Sequence, residues 1–232
     1  MIEARKIVKR FGLKPVLRGV DFHVERGEFV ALVGPNGAGK TTFLRILASL
    51  ARPNLGELRV AGFVLPAQAA AVRRSIGVLS HQPLLYGDLT AEENLRFYGK
   101  MYAVQDLEGR IGETLHLVGL HRRRRDLVRS FSRGMQQRLA IARATLHEPV
   151  LLLFDEPHTG LDPDAAAMLD DLLREVAQRG RTIVMTSHDL QRASGLATRV
   201  DILSKGRIAA SFQRGEIDPQ RLPEMYQSVT RE

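Results

Sequence analysis

Apolar residues fall into runs of two kinds along this chain. Three runs are continuous and of strand length: Phe29-Val30-Ala31-Leu32-Val33, Val150-Leu151-Leu152-Leu153-Phe154 and Thr182-Ile183-Val184-Met185-Thr186. Runs without polar alternation predict strands buried on both faces, as in a parallel sheet. Elsewhere the spacing is helical. Positions 43, 44, 46, 47 and 50 share one helix face, and the Ala-rich stretch 66–75 reads as a short helix. From Thr90 to about Leu146 the pattern is again helical. It opens on the capping box Thr90-Ala91-Glu92-Glu93, with Leu95, Tyr98 and Tyr102 on one face. A second helix is expected over 106–118, closed by Gly119, and Ser132 is a candidate N-cap for the third. Asp162-Pro163 opens another helix, as N-cap and first helical residue, that runs to about Gln178 and ends at Gly180.

The remaining segments predict shorter strands and turns. Residues 2–9 and 16–25 alternate as two strands around the turn 11–15. Arg52–Gly56 reads as a turn, Glu57–Val60 as a short strand, and Ser75–Ser80 as a strand ending at His81-Gln82-Pro83. Val200–Leu203 and Arg207–Phe212 form a hairpin around Ser204-Lys205-Gly206, and the tail from Asp218-Pro219 to Glu232 suits a short helix.

Composition narrows the class. The 232 residues, 44% hydrophobic and 26% charged, can bury a sizeable core and are ordinary for a globular protein. No stretch approaches the ~18 apolar residues of a membrane span, and Met1–Lys6 lacks the apolar region of a secretory signal. With no cysteine, disulfides and thiolate metal sites are excluded, which suits the cytosol. A formal net charge of +8 would suit nucleic acid, an anionic membrane surface or an acidic partner. The one dense basic run, His121-Arg122-Arg123-Arg124-Arg125, reads first as a solvated face, and nucleic acid is disfavoured as a partner.

The strongest chemical signal lies between the first buried strand and its helix. Gly34-Pro35-Asn36-Gly37-Ala38-Gly39-Lys40-Thr41-Thr42 is a G-x-x-x-x-G-K-T loop in its expected strand–loop–helix setting. Glycines there let successive N–H groups cradle phosphate oxygens, and the new helix points its positive end at them. Lys40 should reach the β- and γ-phosphates, and the Thr41 hydroxyl should ligate Mg²⁺. These residues define a nucleotide-phosphate site.

Other candidates take meaning from their place in the sheet. Asp155 and Glu156 end a buried strand, where charge is costly unless paired or functional. After a phosphate loop this is the Walker B arrangement, with Asp155 holding Mg²⁺ through water and Glu156 polarising the attacking water. His188 ends another strand of the same sheet, within reach of a γ-phosphate. Gln82, at a strand end, is positioned to sense Mg²⁺ or water, although a loop glutamine is usually only solvated. Phe11 is either an adenine-stacking aromatic or a core aromatic at a strand end.

In order, these pieces resemble an ABC ATPase along about 210 residues. Phe131-Ser132-Arg133-Gly134-Met135-Gln136-Gln137-Arg138-Leu139 is similar to the family signature. It precedes the aliphatic run ending in Asp155-Glu156-Pro157, with Thr159-Gly160-Leu161-Asp162 and Ser187-His188 following. The resemblance implies an α/β fold: a P-loop NTPase (RecA-like) core with a mainly parallel sheet, an N-terminal antiparallel β subdomain and an inserted α-helical subdomain. The core would comprise 1–82 and 144–212, the helical subdomain 83–143 and the tail 213–232. It further implies ATP and Mg²⁺ bound in a head-to-tail dimer, either a homodimer or a heterodimer with a second ATPase chain. Ser132 and Gly134 of one subunit would then face the phosphate loop of the other. By the same likeness Phe11 stacks on adenine, Gln82 links nucleotide to membrane partner and Asp162 faces the other subunit. His188 holds the γ-phosphate and Glu156 is the catalytic base.

One departure is visible: Arg133 and Met135 stand where the usual signature has glycine and glutamine. Its expected consequence falls on signature-loop dynamics, since Ser132 and Gly134 are kept. The expected activity is ATP hydrolysis driving separate transmembrane permease subunits, with the chain peripheral on the cytoplasmic face of the cell membrane. Ser80–Tyr86, Asn94–Tyr98 and the Ser-Arg-Gly-Met wording look like haem-exporter ATPase subunits of cytochrome c maturation. The alternatives are the ATPase of a drug, lipid or polysaccharide exporter, or a non-transport ABC ATPase acting on ribosome or DNA. Only 49 residues separate Gln82 from Ser132, too few for the long coiled-coil arm of the chromosome type.

Overall fold

The computed structural model describes residues 1–80, 82–216 and 222–231. An antiparallel sheet comes first. Strands β1 (Ile2–Phe11) and β2 (Lys14–Val24) form a hairpin whose turn is Gly12-Leu13, narrower than the 11–15 expected. The sheet is completed by β4 (Leu55–Val60) and β5 (Phe63–Leu65), in the order β2-β1-β4-β5. Three-residue β5 lies at the edge and was not anticipated, because so short a strand carries no periodicity.

The second sheet has six strands in the order β10-β9-β3-β8-β7-β6. Strands β3 (Phe29–Val33), β6 (Ile76–Leu79), β7 (Leu151–Asp155), β8 (Thr182–Ser187) and β9 (Arg199–Ser204) are parallel, and only β10 (Arg207–Gln213) runs antiparallel. Strand β7 lies one residue later than the apolar run suggests: Val150 is exposed, and Asp155 is its last member. Successive residues feed two cores. Phe29, Ala31, Val33, Leu152 and Phe154 pack on one face, while Val30, Leu32, Leu151 and Leu153 pack on the other. That two-sided burial explains why these strands are continuously apolar.

Helices cover both faces: α1 (Lys40–Leu47), α2 (Ala69–Ser75), α3 (Ala91–Met101), α4 (Leu107–Leu117), α5 (Arg133–Thr145), α6 (Pro163–Gln178), α7 (Leu190–Leu196) and α8 (Leu222–Arg231). The start signals hold. Thr90 and Glu93 form the capping box, Ser132 Oγ accepts from Met135 N at 3.3 Å, and Asp162 Oδ1 accepts from Ala165 N at 2.8 Å. Gly119 follows α4 at φ 66°, the left-handed turn that glycine allows without strain. One expectation shifts. Helix α2 begins at Ala69 rather than 66, after a cis Leu65–Pro66 bond. The stretch between α4 and α5, where the sequence reads only as a solvated basic run, holds two short 3₁₀ turns, His121–Arg123 and Val128–Ser130. His81, and the 217–221 and 232 portions of the tail expectation, lie outside the described residues.

Register fixes what this scaffold presents. Val33 pairs with Ser187, and Asp155 pairs with Thr186. The ends of β3, β7 and β8 therefore reach one edge of the sheet, where the phosphate loop, Asp155-Glu156 and Ser187-His188 leave it. In open parallel sheets the C-terminal strand edge is where ligands bind.

Candidate functional site

The loop between β3 and α1 is shaped by what cannot fit there. A Cβ on Gly34 would collide with the Leu203 carbonyl oxygen, and one on Gly39 would lie 2.8 Å from Leu17 Cδ2. Gly39 caps α1 without a side chain, so no side-chain acceptor occupies the first-turn N–H groups. Lys40 is folded into this cradle. Its side chain is 6% exposed, and Nζ donates to the Gly34 carbonyl at 2.7 Å.

The carboxylates arrive from the neighbouring strands. Asp155 Oδ1 accepts from Thr41 Oγ1 at 3.0 Å and from Thr186 Oγ1 at 2.7 Å. Thr186 also accepts from the Glu156 N–H at 2.9 Å, so one hydroxyl orients both acidic residues. Glu156 sits at φ 50°, left-handed backbone that costs a non-glycine residue about 1–3 kcal/mol and recurs at functional sites. Its Oε1 lies 3.5 Å from Lys40 Nζ, and its Oε2 lies 2.5 Å from His188 Nδ1.

Lys40, Thr41, Glu156 and His188 open onto a cavity of about 620 Å³, while Asp155 lies outside its lining and reaches it through the hydrogen bond from Thr41. The cavity is lined by Pro35, Asn36, Gly37, Gly39, Lys40, Thr41, Thr42, Glu156 and His188 of the expected set. Gly34 and Ala38 lie behind the loop, the first as acceptor for Lys40 and the second buried. Lys14, Val16 and Thr159 also line the cavity; Thr159 belongs to the segment Thr159–Asp162 already noted, whereas Lys14 and Val16 had no sequence signal. Thr186 had one: a hydroxyl at the end of an otherwise apolar strand, fully buried.

Other expected residues stand apart. Phe11 is 57% exposed, with the Lys9 ammonium 5.2 Å from its ring centroid, and is not among the lining residues. Gln82 is exposed and does not line the cavity; its carbonyl accepts from Ser80 Oγ at 2.7 Å. Ser132, Gly134 and Asp162 are likewise absent from the lining: Ser132 and Asp162 cap helices, and Gly134 packs against Ala165. The signature segment instead touches the Walker B segment from behind. Gln137 Nε2 donates to the Pro157 carbonyl at 2.7 Å, and Arg133 shares a cavity of about 300 Å³ with Asp155, Glu156 and Thr159. The basic run is a solvated turn, as read: Arg122, Arg123 and Arg125 are exposed and Arg124 pairs with Glu92 at 2.6 Å.

The donor set fits a triphosphate with Mg²⁺. A buried ammonium and a glycine cradle suit phosphate oxygens. Among the described residues no group of three or more His, Cys, Asp or Glu is placed to hold a metal ion by itself. A hydroxyl and one carboxylate are what Mg²⁺ uses when phosphates and water complete its shell. Fold and site together define a P-loop ATPase.

The sequence profile described as "ABC transporter" matches residues 17–159. The chain is 36% identical to the linearmycin resistance ATP-binding protein LnrL of Bacillus subtilis, over 90% of this chain and 68% of that protein. It is 38% identical to the Nod factor export ATP-binding protein I of Paraburkholderia xenovorans, over 89% of this chain and 68% of that protein. Among solved structures it is similar to the dimeric post-hydrolysis ATP-binding cassette MJ0796 bound to ADP and Pi. That match has a TM-score of 0.83 and 28% identity, over 92% of this chain and 99% of that one. The chain belongs to the ABC transporter family, and it is the ATP-binding, ATP-hydrolysing domain.

Proposed function

We propose that this chain powers an exporter, hydrolysing ATP in a head-to-tail dimer while separate permease chains carry the solute. The observation that carries it is the convergence of Lys40, Thr41, Glu156 and His188 on one cavity at the sheet edge, with Asp155 hydrogen-bonded to Thr41 just outside the lining. In this reading Lys40 binds the β- and γ-phosphates, and Thr41 and Asp155 hold Mg²⁺, which neutralises phosphate charge. Glu156 orients and deprotonates the attacking water, and His188 steadies both Glu156 and the γ-phosphate. Phe11 takes the adenine, and Gln82, if it is to meet Mg²⁺, must turn inward from its exposed loop.

The dimer is supported by incompleteness. Ser132, Gly134 and Asp162 do not line the cavity of their own chain, so their proposed contact is to the nucleotide or loop of a partner. The membrane face is supported by apolar exposure. Leu84, Tyr86, Phe97, Met101 and Tyr102 are all exposed around α3, next to the Gln82 loop, an arrangement that marks an interaction surface. No helix among the described residues is long and apolar enough to cross a membrane, which fits a peripheral chain. The partition into a core of 1–82 and 144–212, a helical subdomain of 83–143 and a tail of 213–232 belongs to the same proposal. Drug-resistance and Nod-factor-export relatives favour a drug, lipid or polysaccharide exporter over the haem exporter.

Purification of a tagged Glu156→Gln variant from native membranes with ATP, followed by mass identification, tests this. A co-purifying permease is expected. Ribosomes or DNA without a membrane chain would overturn the transport reading.

A further inference from the structure

Behind the Glu156–His188 pair lies a second set of charged side chains with no assigned role. His158 follows Glu156 by two residues, on the turn between β7 and α6. Its Nε2 lies 2.8 Å from Asp170 Oδ1, and both side chains are largely buried. The other Asp170 oxygen accepts from Arg192 Nη1 at 2.5 Å. Arg192 Nε in turn lies 3.6 Å from Asp189 Oδ2, and Asp189 is the neighbour of His188. Since His188 touches Glu156, the contacts close a ring: Glu156, His188, Asp189, Arg192, Asp170, His158 and back through Pro157. The ring surrounds a cavity of about 370 Å³ lined by Glu156, His158, His188, Asp189 and Arg192 among others.

We propose that His158, Asp170 and Arg192 are positioning residues that hold the β7–α6 turn and the β8–α7 turn in fixed relation, so that Glu156 meets His188. Three observations argue for it. Buried ion pairs lose in desolvation much of what they gain in attraction, so apolar residues of similar volume would serve stability as well. What an apolar trio could not do is fix distances directionally across α6 and α7. Asp170 uses one oxygen on His158 of the β7–α6 turn and the other on Arg192 of α7, and that is the geometry of a tie rather than of a lone pair. Finally, His158 Nδ1 is buried without a partner among the described residues, where the ring is held through Nε2. Burial also pushes this imidazole below its ordinary pKa, against the opposing pull of the Asp170 carboxylate. The tie acts through other residues, because none of the three side chains lines the phosphate cavity.

This inference rests on the proposed role of Glu156, and the test separates the two. Steady-state ATP hydrolysis by the full chain is compared with the affinity of a fluorescent ATP analogue for wild type, Glu156→Gln, His158→Leu, His158→Gln and Asp170→Asn. Glu156→Gln should abolish turnover; if it does not, or if wild type does not hydrolyse ATP, the role of Glu156 fails and the tie with it. His158→Leu and Asp170→Asn should lower kcat by about 10- to 100-fold, the scale of a small misplacement of catalytic groups, with KM and analogue affinity within about twofold. His158→Gln, which keeps an N–H near the Nε2 position, should recover most of the rate. If His158→Leu does not fold, the one-atom change Asp170→Asn decides. A folded variant with wild-type kcat, or a loss that His158→Gln fails to rescue, overturns the tie while leaving Glu156 as base.

Discussion

The ammonium of Lys40 lies 3.5 Å from the Glu156 carboxylate, and both side chains are shielded from solvent. The proposed phosphate-binding cation and the proposed base are thus electrostatic partners inside one chain. Replacing Glu156 with glutamine leaves Lys40 without its carboxylate partner and free to engage phosphate. Expected is loss of hydrolysis with ATP affinity kept or raised. Lys40→Ala should instead weaken ATP binding by about 10- to 100-fold, the worth of a hydrogen bond to a charged group. Equilibrium binding and a phosphate-release assay on the two variants separate these outcomes.

The Thr186 hydroxyl joins the Asp155 carboxylate to the Glu156 backbone. Thr186→Val keeps the shape of the side chain and removes the hydroxyl that serves Asp155 and the Glu156 N–H. An unsatisfied buried group costs about 1–3 kcal/mol, so the denaturation midpoint should fall by that equivalent. Turnover should fall further than stability alone explains. Chemical denaturation and kcat measured side by side check both.

Arg133, the departure from the usual signature, lies against the Gly160 backbone of the turn after Glu156. A Cβ added at Gly160, which sits at φ 73°, would be 2.5 Å from the Arg133 guanidinium carbon. Arg133→Gly should leave ATP hydrolysis within a few-fold, because Arg133 makes no hydrogen bond to the phosphate loop among the described residues. Gly160→Ala should be the more damaging change, combining backbone strain with displacement of Arg133. Relative ATPase rates rank them.

His147 gives the fold an acid-sensitive point away from the site. Burial pushes its pKa below the ordinary value, Arg143 adds to that, and the Ile76 carbonyl that accepts from it only partly opposes. Its ring also stacks on Tyr102 with centroids 3.9 Å apart. Below about pH 6.5 the unfolded chain takes up a proton that the folded ring resists. Stability therefore is full above that pH and falls as pH drops toward the folded pKa. Denaturation midpoints between pH 7.5 and 5 should show this slope, and His147→Gln should flatten it.

Most of the architecture is legible along the chain because its signals are local. A capping residue acts within one turn, so Thr90, Ser132 and Asp162 each mark a helix start correctly. Continuous apolar runs mark β3, β7 and β8 because two-faced burial leaves no polar position. Where the signal thins to three residues, as in β5, or where proline resets the backbone, as before α2, boundaries drift.

By itself, the sequence determined the strand–loop–helix setting of Gly34 to Thr42, since the segment is contiguous and needs only a strand before it and a helix after it. It likewise placed Asp155, Glu156 and His188 at strand ends. Tertiary structure alone decided which side chains meet. Thr186 reaches Asp155 across 31 residues, His158 reaches Asp170 across 12, and Asp170 reaches Arg192 across 22. Parallel register brings the ends of β7 and β8 side by side, and helix packing brings α6 against α7. Neither leaves a periodic trace, because hydrogen bonds between distant segments depend on register and packing, which no local pattern encodes. The same cause set Ser132 and Gly134 apart from the cavity: they share no local pattern with the residues that line it, and only packing decides where α5 lies.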